Sequence, residues 1–142
     1  MAITSAICNS FKQEILVGTH DLTASTGDTF KLALFTSSAT LGASTTAYST
    51  SNEVSGTGYS AGGATLTSVT PVLDSSTAVC DFSDVSFTSA SFTANGCLIY
   101  NSSQSDKAVA VIAFGGDKTV SSGTFTIQFP TADASNAIIR IA

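Results

Sequence analysis

The stretch GCLIYNSSQSDKAVAVIAF, residues 96–114, contains two apolar runs on either side of a short polar segment. Both runs, 96–101 and 108–114, include β-branched and aromatic residues, a composition that favours strands. The polar residues of 102–106 are typical of a turn. The stretch therefore predicts two strands joined by a turn. The second strand is apolar on both faces, so we expect it in the middle of a sheet.

Alternation with a period of two continues on both sides of this stretch. In 124–129 the side chains of Phe125, Ile127 and Phe129 are expected on the buried face, and 29–36 alternates in the same way. Further strands are predicted at 64–73, 77–82, 84–88 and 137–142. Residues typical of turns separate the strands, at 74–76, 95–96, 115–117 and 121–123. About eight short strands predict a single all-β domain, residues 1–142, folded as an antiparallel β-sandwich or jelly roll.

Only residues 4–18, TSAICNSFKQEILVG, have the pattern of an α-helix. The apolar residues of this segment recur at helical spacing, at Ile7, Phe11 and Ile15. Thr4 or Ser5 is the expected N-cap, and Gly18 stands where a glycine commonly follows a helix. The sequence therefore predicts one amphipathic N-terminal helix, packed on its own sheet or on a partner.

Residues 37–63 form a polar stretch that is much longer than an ordinary loop. Such a length predicts a functional or interfacial segment. Tyr48 and Tyr59 lie in it, and tyrosine is a favoured interface residue because it combines apolar area with a hydrogen-bonding tip. We therefore take Thr45, Tyr48 and Tyr59 as candidate partner-contact residues. The alternative is that both tyrosine rings fold back onto the sheet.

The glycines of this loop, Gly56, Gly58 and Gly62, have nearly the spacing of a nucleotide-binding loop. Such a loop needs a buried strand before it and an amphipathic helix after it. Here a polar run precedes the glycines, and the β-branched residues of 64–73 follow them. The glycines are instead expected to permit positive φ angles in turns or bulges.

His20 is the sole histidine, and with Asp21 it is the one place for a catalytic base. Because no nucleophile elbow accompanies this pair, a helix-terminal contact or plain solvent exposure explains His20 better than a Ser–His–Asp triad. Most carboxylates fit turn caps, and Asp81 and Asp84 fit strand ends. No calcium-loop pattern and no cluster of His and Cys occurs. The sequence therefore predicts neither an enzyme nor a cofactor or metal site.

The composition is low in charge, with 43% hydrophobic and only 11% charged residues and a formal net charge of −5. The chain has five Lys and Arg and no basic cluster, which argues against direct binding to nucleic acid or to an anionic membrane. No apolar run is long enough to span a bilayer, and the N-terminus lacks the features of a secretion signal. We therefore expect synthesis in a cytoplasm.

The three cysteines, Cys8, Cys80 and Cys97, are widely and irregularly spaced. This spacing predicts neither a disulfide framework nor a zinc site, and buried, small apolar side chains are the expected state. A Cys80–Cys97 pair across neighbouring strands is the alternative.

Several segments together resemble one family of proteins. They are SFKQEILVGTHDL (10–22), the stretch from TFKLALF to SAGG (29–63), GCLIYNSSQSDKAVAVIAFGG (96–116), and SGTFTIQFP (122–130) followed by AIIRIA. In this order they resemble the small head decoration, or cement, proteins of tailed bacteriophages.

The resemblance implies a β-sandwich on the virion exterior, which binds the outer surface of the shell of major capsid protein and stabilises it. It also implies a homo-oligomer, a dimer or trimer, and it brings no catalytic residue. Two alternatives remain, since similar sandwiches occur elsewhere in such virions. One is a tail or neck structural subunit, and the other is an adhesin module whose exposed tyrosines stack on a host surface glycan.

Overall fold

The computed structural model describes residues 2–142 and consists of one short helix and eight strands. In chain order these are β1 (Ala6–Ile7), α1 (Asn9–Leu16), β2 (Phe30–Phe35), β3 (Ala64–Thr65), β4 (Ser68–Asp74), β5 (Thr77–Phe82), β6 (Val85–Asn101), β7 (Lys107–Ile127) and β8 (Ile139–Ile141).

The strands form two antiparallel sheets that pack face to face as a sandwich. One sheet has the order β1-β7-β6-β2-β3 and the other has the order β4-β5-β8. On one face of the larger sheet, Phe30 contacts Phe82 of the smaller sheet, with 5.8 Å between ring centroids. On the opposite face, Tyr100 stacks on Tyr48 of the 37–63 loop at 4.5 Å. The prediction of an all-β antiparallel sandwich with about eight strands is therefore confirmed.

The centre of the larger sheet is the hairpin of β6 and β7, which runs from Val85 to Ile127. Its inner halves are the two apolar runs at 96–101 and 108–114, and residues 102–106 connect them as predicted. Ala108, Val109, Ala110 and Val111 are all buried. β7 lies between β1 and β6, so its predicted place in the middle of a sheet is also confirmed.

The predicted turns at 95–96, 115–117 and 121–123 are wrong, because they lie inside these two strands. Asn95 is opposite the four residues 114–117, since Ala94 pairs with Lys118 and Gly96 pairs with Ala113. A second irregularity places residues 121–122 opposite one residue of β6. The positive φ angles that glycine and serine tolerate therefore serve bulges here, which bend a continuous hairpin rather than end it.

Gly96 has a packing role at the first of these bulges. A Cβ atom at this position would lie 2.7 Å from Ile3 Cγ2 and 2.8 Å from the Ile112 carbonyl oxygen. The glycine thus allows the N-terminal segment to lie directly against β6.

The helix is shorter than the predicted 4–18, because the first residues of that segment form strand instead. Ala6 and Ile7 pair with Val111 and Ala110 of β7. The cap is therefore Cys8, without a side-chain capping bond, rather than Thr4 or Ser5. The end of the helix follows the prediction.

Gly18 has a φ angle of 77°, and its N–H donates to the Ile15 carbonyl. The Thr19 N–H donates to the Glu14 carbonyl, which completes a Schellman motif.

The cysteines are free and buried, as expected, and the alternative Cys80–Cys97 pair is not formed. These two residues lie on β5 and β6, in different sheets. Burial raises the pKa of Cys8 to about 11 and that of Cys80 and Cys97 to about 12. The thiols therefore stay protonated and act as small apolar side chains.

We expect Gly96→Ala to lower the free energy of unfolding by about 1–3 kcal/mol, because the added methyl group overlaps Ile3 and the backbone of Ile112. Urea denaturation measures the change. Gly42→Ala is the matched control, since its Cβ would meet no atom closer than 3.9 Å. Equal stability of the two variants would contradict the packing role of Gly96.

Candidate interaction surface

The 37–63 loop lacks regular strands, but its backbone is fixed to the sandwich at four places. The Leu41 and Thr4 backbones pair near the N-terminus, and Thr36 N–H donates to the Asn52 carbonyl at the end of β2. Bonds from Tyr48 and Ala108 join the loop to the start of β7, and Ser91 of β6 donates to the Thr57 carbonyl. A long segment with this many main-chain attachments is an ordered part of the fold.

Glu53 is the centre of the loop's side-chain bonding. Its Oε1 accepts a hydrogen bond from the Tyr48 hydroxyl at 2.6 Å. Its Oε2 accepts one from the Tyr59 hydroxyl at 2.5 Å and one from the Gly62 N–H at 2.8 Å. One carboxylate therefore joins three parts of the loop through charge-assisted bonds, which are stronger than neutral ones.

The same hydroxyls join the loop to the larger sheet. The Tyr59 hydroxyl accepts a bond of 2.9 Å from the Leu34 N–H, on the edge of β2 that β3 does not reach. The Tyr100 hydroxyl donates to the Gly62 carbonyl at 2.6 Å. Edge N–H and C=O groups are otherwise open to unwanted strand pairing, so the loop both covers this edge and is fixed by it.

The tyrosine rings of the loop pack inward. Tyr48 lies nearly parallel to Tyr100 and meets Phe35 edge-on. Tyr59 packs against Phe87 and Phe92 of β6. Both rings are half-buried and belong to the shell around the core.

Burial and the bonds to Glu53 raise the pKa of Tyr48 and of Tyr59 far above the ordinary range of tyrosine. Burial also raises the pKa of Tyr100 to about 12. All three phenols are therefore hydrogen-bond donors at neutral pH, as the contacts with Glu53 and Gly62 require.

The predicted contact residues are accordingly engaged within the chain. Of the two alternatives for Tyr48 and Tyr59, the structure favours rings folded back onto the sheet. The Thr45 hydroxyl accepts a hydrogen bond from the Gly42 N–H at 3.0 Å and shapes a turn of the loop. A role of these three residues in binding a partner stays a prediction. Sequence reasoning did not identify Glu53, although it is the only charged residue in 37–63.

The glycines of the loop behave as expected for turns and close approaches. Gly58 and Gly62 have φ angles of 81° and 95°. Gly56 lies against β6, where a Cβ would come within 2.5 Å of the Ser91 carbonyl. Strand β3 rather than a helix follows them, so the structure has no phosphate-binding helix terminus at this point.

The outer surface of the loop is uncharged, and most of its exposed side chains carry hydroxyl groups. These are Ser37, Ser38, Thr40, Ser44, Thr46, Ser49, Thr50, Ser51, Ser55, Thr57 and Ser60. The one charge of the segment, on Glu53, is turned toward the tyrosines. We call this set of exposed residues the hydroxyl face.

His20 is buried, so of its two expected explanations, a helix-terminal contact and plain solvent exposure, the second is wrong. Its Nε2 lies 3.0 Å from Glu14 Oε1, and its Nδ1 lies 3.0 Å from Asn101 Nδ2. Since an amide nitrogen donates, this pattern fits a neutral imidazole that donates from Nε2 to Glu14. Phe11 covers the ring at 4.8 Å, and the side chain has no exposed surface that a substrate could reach.

Asn101 continues this network to the other side. Its Nδ2 also donates to Asp28 Oδ2 at 2.8 Å. Although burial opposes it, hydrogen bonds from Asn101, the Asp21 N–H and Gln104 hold the pKa of Asp28 below its usual value. The network fixes the connection from α1 to β2 against the β6–β7 turn, which is a structural role.

Asp81 is a buried carboxyl of the smaller sheet with one oxygen that has no hydrogen-bond partner. Its side chain is fully buried. Oδ1 accepts a hydrogen bond from the backbone N–H of the next residue, Phe82. Oδ2 makes no hydrogen bond. Burial raises the pKa of Asp81, and the backbone N–H groups of Phe82 and Ile138 oppose this shift only in part.

Two further findings concern residues 2–142. They contain no group of three or more His, Cys, Asp or Glu side chains placed to hold a metal ion. Their one helix is too short to cross a bilayer.

No protein-family model, curated protein or solved structure matches the chain.

We expect Tyr59→Phe to lower the free energy of unfolding by about 1.5–3 kcal/mol and Glu53→Ala to lower it by at least as much, because the first removes one bond to the carboxylate and the second removes all three. The double variant should lose clearly less than the sum, since both changes break the same contact. Urea denaturation of the four proteins measures the coupling. Asp117→Ala, which removes an exposed carboxylate bonded to Asn95, is the control and should change stability by less than about 0.5 kcal/mol. Additive losses would contradict the role of Glu53.

We expect Asp81 to make the sandwich more stable in mild acid than at neutral pH. Because the folded-state pKa lies above the unfolded value, folding favours the protonated carboxyl, and this stability is gained as the pH falls through the folded-state pKa. The unfolding temperature, measured from neutral pH down to the ordinary pKa range of a carboxyl, tests this expectation. Asp81→Asn should reduce the dependence of the unfolding temperature on pH, while Asp117→Asn should not. An unchanged pH dependence in Asp81→Asn argues against a role of the buried carboxyl.

Proposed function

We propose that the chain is a structural virion protein of a tailed phage, a decoration protein that binds the outer surface of the major capsid protein shell and stabilises it. The hydroxyl face of the 37–63 loop is the surface that contacts the capsid. The single observation that carries this assignment is that the loop is ordered by Glu53 in the free chain while its exposed side is uncharged.

The physical argument begins with order. A loop already held by charge-assisted bonds loses little conformational entropy when it binds, so more of the contact energy appears as affinity. Glu53 supplies this order without leaving a charge on the outer side, since both of its oxygens accept bonds from the loop itself.

The second part concerns desolvation. Hydroxyl groups are less costly to remove from water than charges, and cores of protein interfaces are depleted in charged residues. The hydroxyl face combines these properties over a contiguous segment. A shell offers the same contact many times, so modest affinity at each copy is sufficient if the copies are linked as oligomers.

The sequence resemblance supports the same assignment, since the segments that carry it include all of 37–63 and the β6–β7 turn against which the loop lies. The adhesin alternative is less well supported. It requires tyrosine rings free to stack on sugars, whereas Tyr48 and Tyr59 stack on Tyr100 and on phenylalanines of the sandwich.

Charges placed on the hydroxyl face should weaken capsid binding without unfolding the chain. We expect Thr46→Glu with Thr50→Glu to weaken binding about tenfold or more, because two carboxylates would be buried unpaired at the contact. Co-sedimentation of the purified chain with shells that lack it measures the affinity. Thr124→Glu, an exposed threonine of β7, is the matched control and should bind like wild type.

Wild-type chain that fails to sediment with the shells contradicts the proposed function. Binding by wild type that survives both loop substitutions instead assigns the capsid contact to another surface.

A further inference from the structure

Large exposed apolar side chains are concentrated on one part of the sandwich. Among the described residues, the large hydrophobic side chains that are substantially exposed all belong to α1 and its C-cap or to β4 and β8. They are Leu16, Val17, Val69, Val72, Leu73 and Ile141. Leu73 and Ile141 share one face of the smaller sheet, which borders the helix end with Leu16 and Val17, whereas Val69 and Val72 lie on the opposite face. A cluster of exposed apolar side chains like the first set marks an interaction surface.

The helix and the smaller sheet enclose an apolar groove. One part, of about 460 Å³, lies between the end of α1, residues 19–23 and β5. A second part, of about 320 Å³, lies between α1 and β8. The two parts share Ile15, Ile139 and Ile141, so they form one groove, which we call the α1–β8 groove.

Leu16 and Ile141 make the rim of the groove apolar. Leu16 is 85% exposed and Ile141 is 57% exposed. Ala78 of β5 lies opposite Ile141 of β8 on one side and opposite Leu73 of β4 on the other. These three side chains therefore form one row on the same face of the smaller sheet, and Leu73 is 73% exposed. Val72 is on the opposite face, in the row that contains the buried Val79.

The charges of the groove are separated by sign. Lys12 and Arg140 line the part beside β8, where the Arg140 guanidinium donates to the Ala134 carbonyl, and Asp21 lines the part beside β5. Neither Lys12 nor Asp21 forms an ion pair with another described residue. Lys12 makes only a hydrogen bond of 3.3 Å to Asn9, and Asp21 accepts one from the Thr23 N–H.

We infer that the α1–β8 groove is the interface of a two-fold symmetric homodimer. In an isologous contact each surface meets its own copy in the reverse direction. The Lys12 end of one groove then faces the Asp21 end of the other, and the apolar rims meet in the middle. A surface with unlike charges at its two ends and apolar side chains between them is self-complementary under this operation.

The inference does not depend on capsid binding, because it uses a different surface from the hydroxyl face. Repulsion between two chains of net charge −5 opposes the dimer, but it is screened beyond about 8 Å at physiological salt, whereas the close Lys12–Asp21 contact is screened less. Dimerisation also leaves two hydroxyl faces on one particle.

Sedimentation velocity of the purified chain over a concentration series at physiological salt tests the interface. We expect a concentration-dependent species of twice the chain mass of 14.3 kDa. Leu16→Asp should raise the dimer dissociation constant about tenfold or more, since it buries a charge at the apolar rim. It should leave the thermal unfolding of the monomer unchanged, because the side chain is almost fully exposed. Val72→Asp, on the opposite face of the smaller sheet, is the matched control and should dimerise like wild type.

The charge pair tests the orientation. Lys12→Asp and Asp21→Lys should each weaken the dimer, and the two changes together should restore it, because each end then meets its new opposite. A monomer at every concentration, a trimer, or a dimer unaffected by Leu16→Asp overturns the inference. A double variant as weak as the single variants overturns the two-fold arrangement.

Discussion

The pairing of β6 with β7 is the interaction on which the rest of the molecule depends. β1 and β2 attach to the inner part of this hairpin, and the long loop is bonded to the start of β7 and to β6. The hairpin can do this because bulges let two strands of 17 and 21 residues bend while they stay paired. Its buried inner half forms the core, and its outer half carries the phenylalanines against which Tyr59 packs.

The 37–63 loop adds an ordered, uncharged surface to this hairpin. In a segment of 27 residues that contains no helix or long strand, order has to come from specific bonds, and Glu53 provides them through two tyrosines and one backbone N–H. The inward direction of these bonds has a functional consequence. The apolar rings and the charge are used to hold the loop, and the hydroxyl side chains are left for contact. Under our proposals, the loop binds the shell and the α1–β8 groove joins two copies.

Local alternation and apolar composition were sufficient to predict most strand-forming segments and the sheet centre. The predicted single strand at 64–73 is wrong, however, because this segment forms β3 in the larger sheet and β4 in the smaller one. The sequence was insufficient where the same residue type is compatible with two different local structures. Gly115 and Gly116 tolerate positive φ in a bulge as readily as in a turn, so the hairpin was divided into separate strands. Ile7 fits a helical stripe, but its pairing with β7 is a long-range contact that periodicity cannot reveal. Glu53 had a detectable signal as the lone charge of its segment, whereas its tyrosine partners are defined only by the fold.

The most direct test of the account is the copy number and position of the chain in purified virions, determined by cryo-electron microscopy together with the copy number of the major capsid protein. The account predicts copies over the whole outer shell, in a number comparable with that of the capsid protein, with the hydroxyl face of the 37–63 loop against the shell. A few copies at a single vertex or on the tail would contradict it, as would shell-bound copies whose loop faces the solvent.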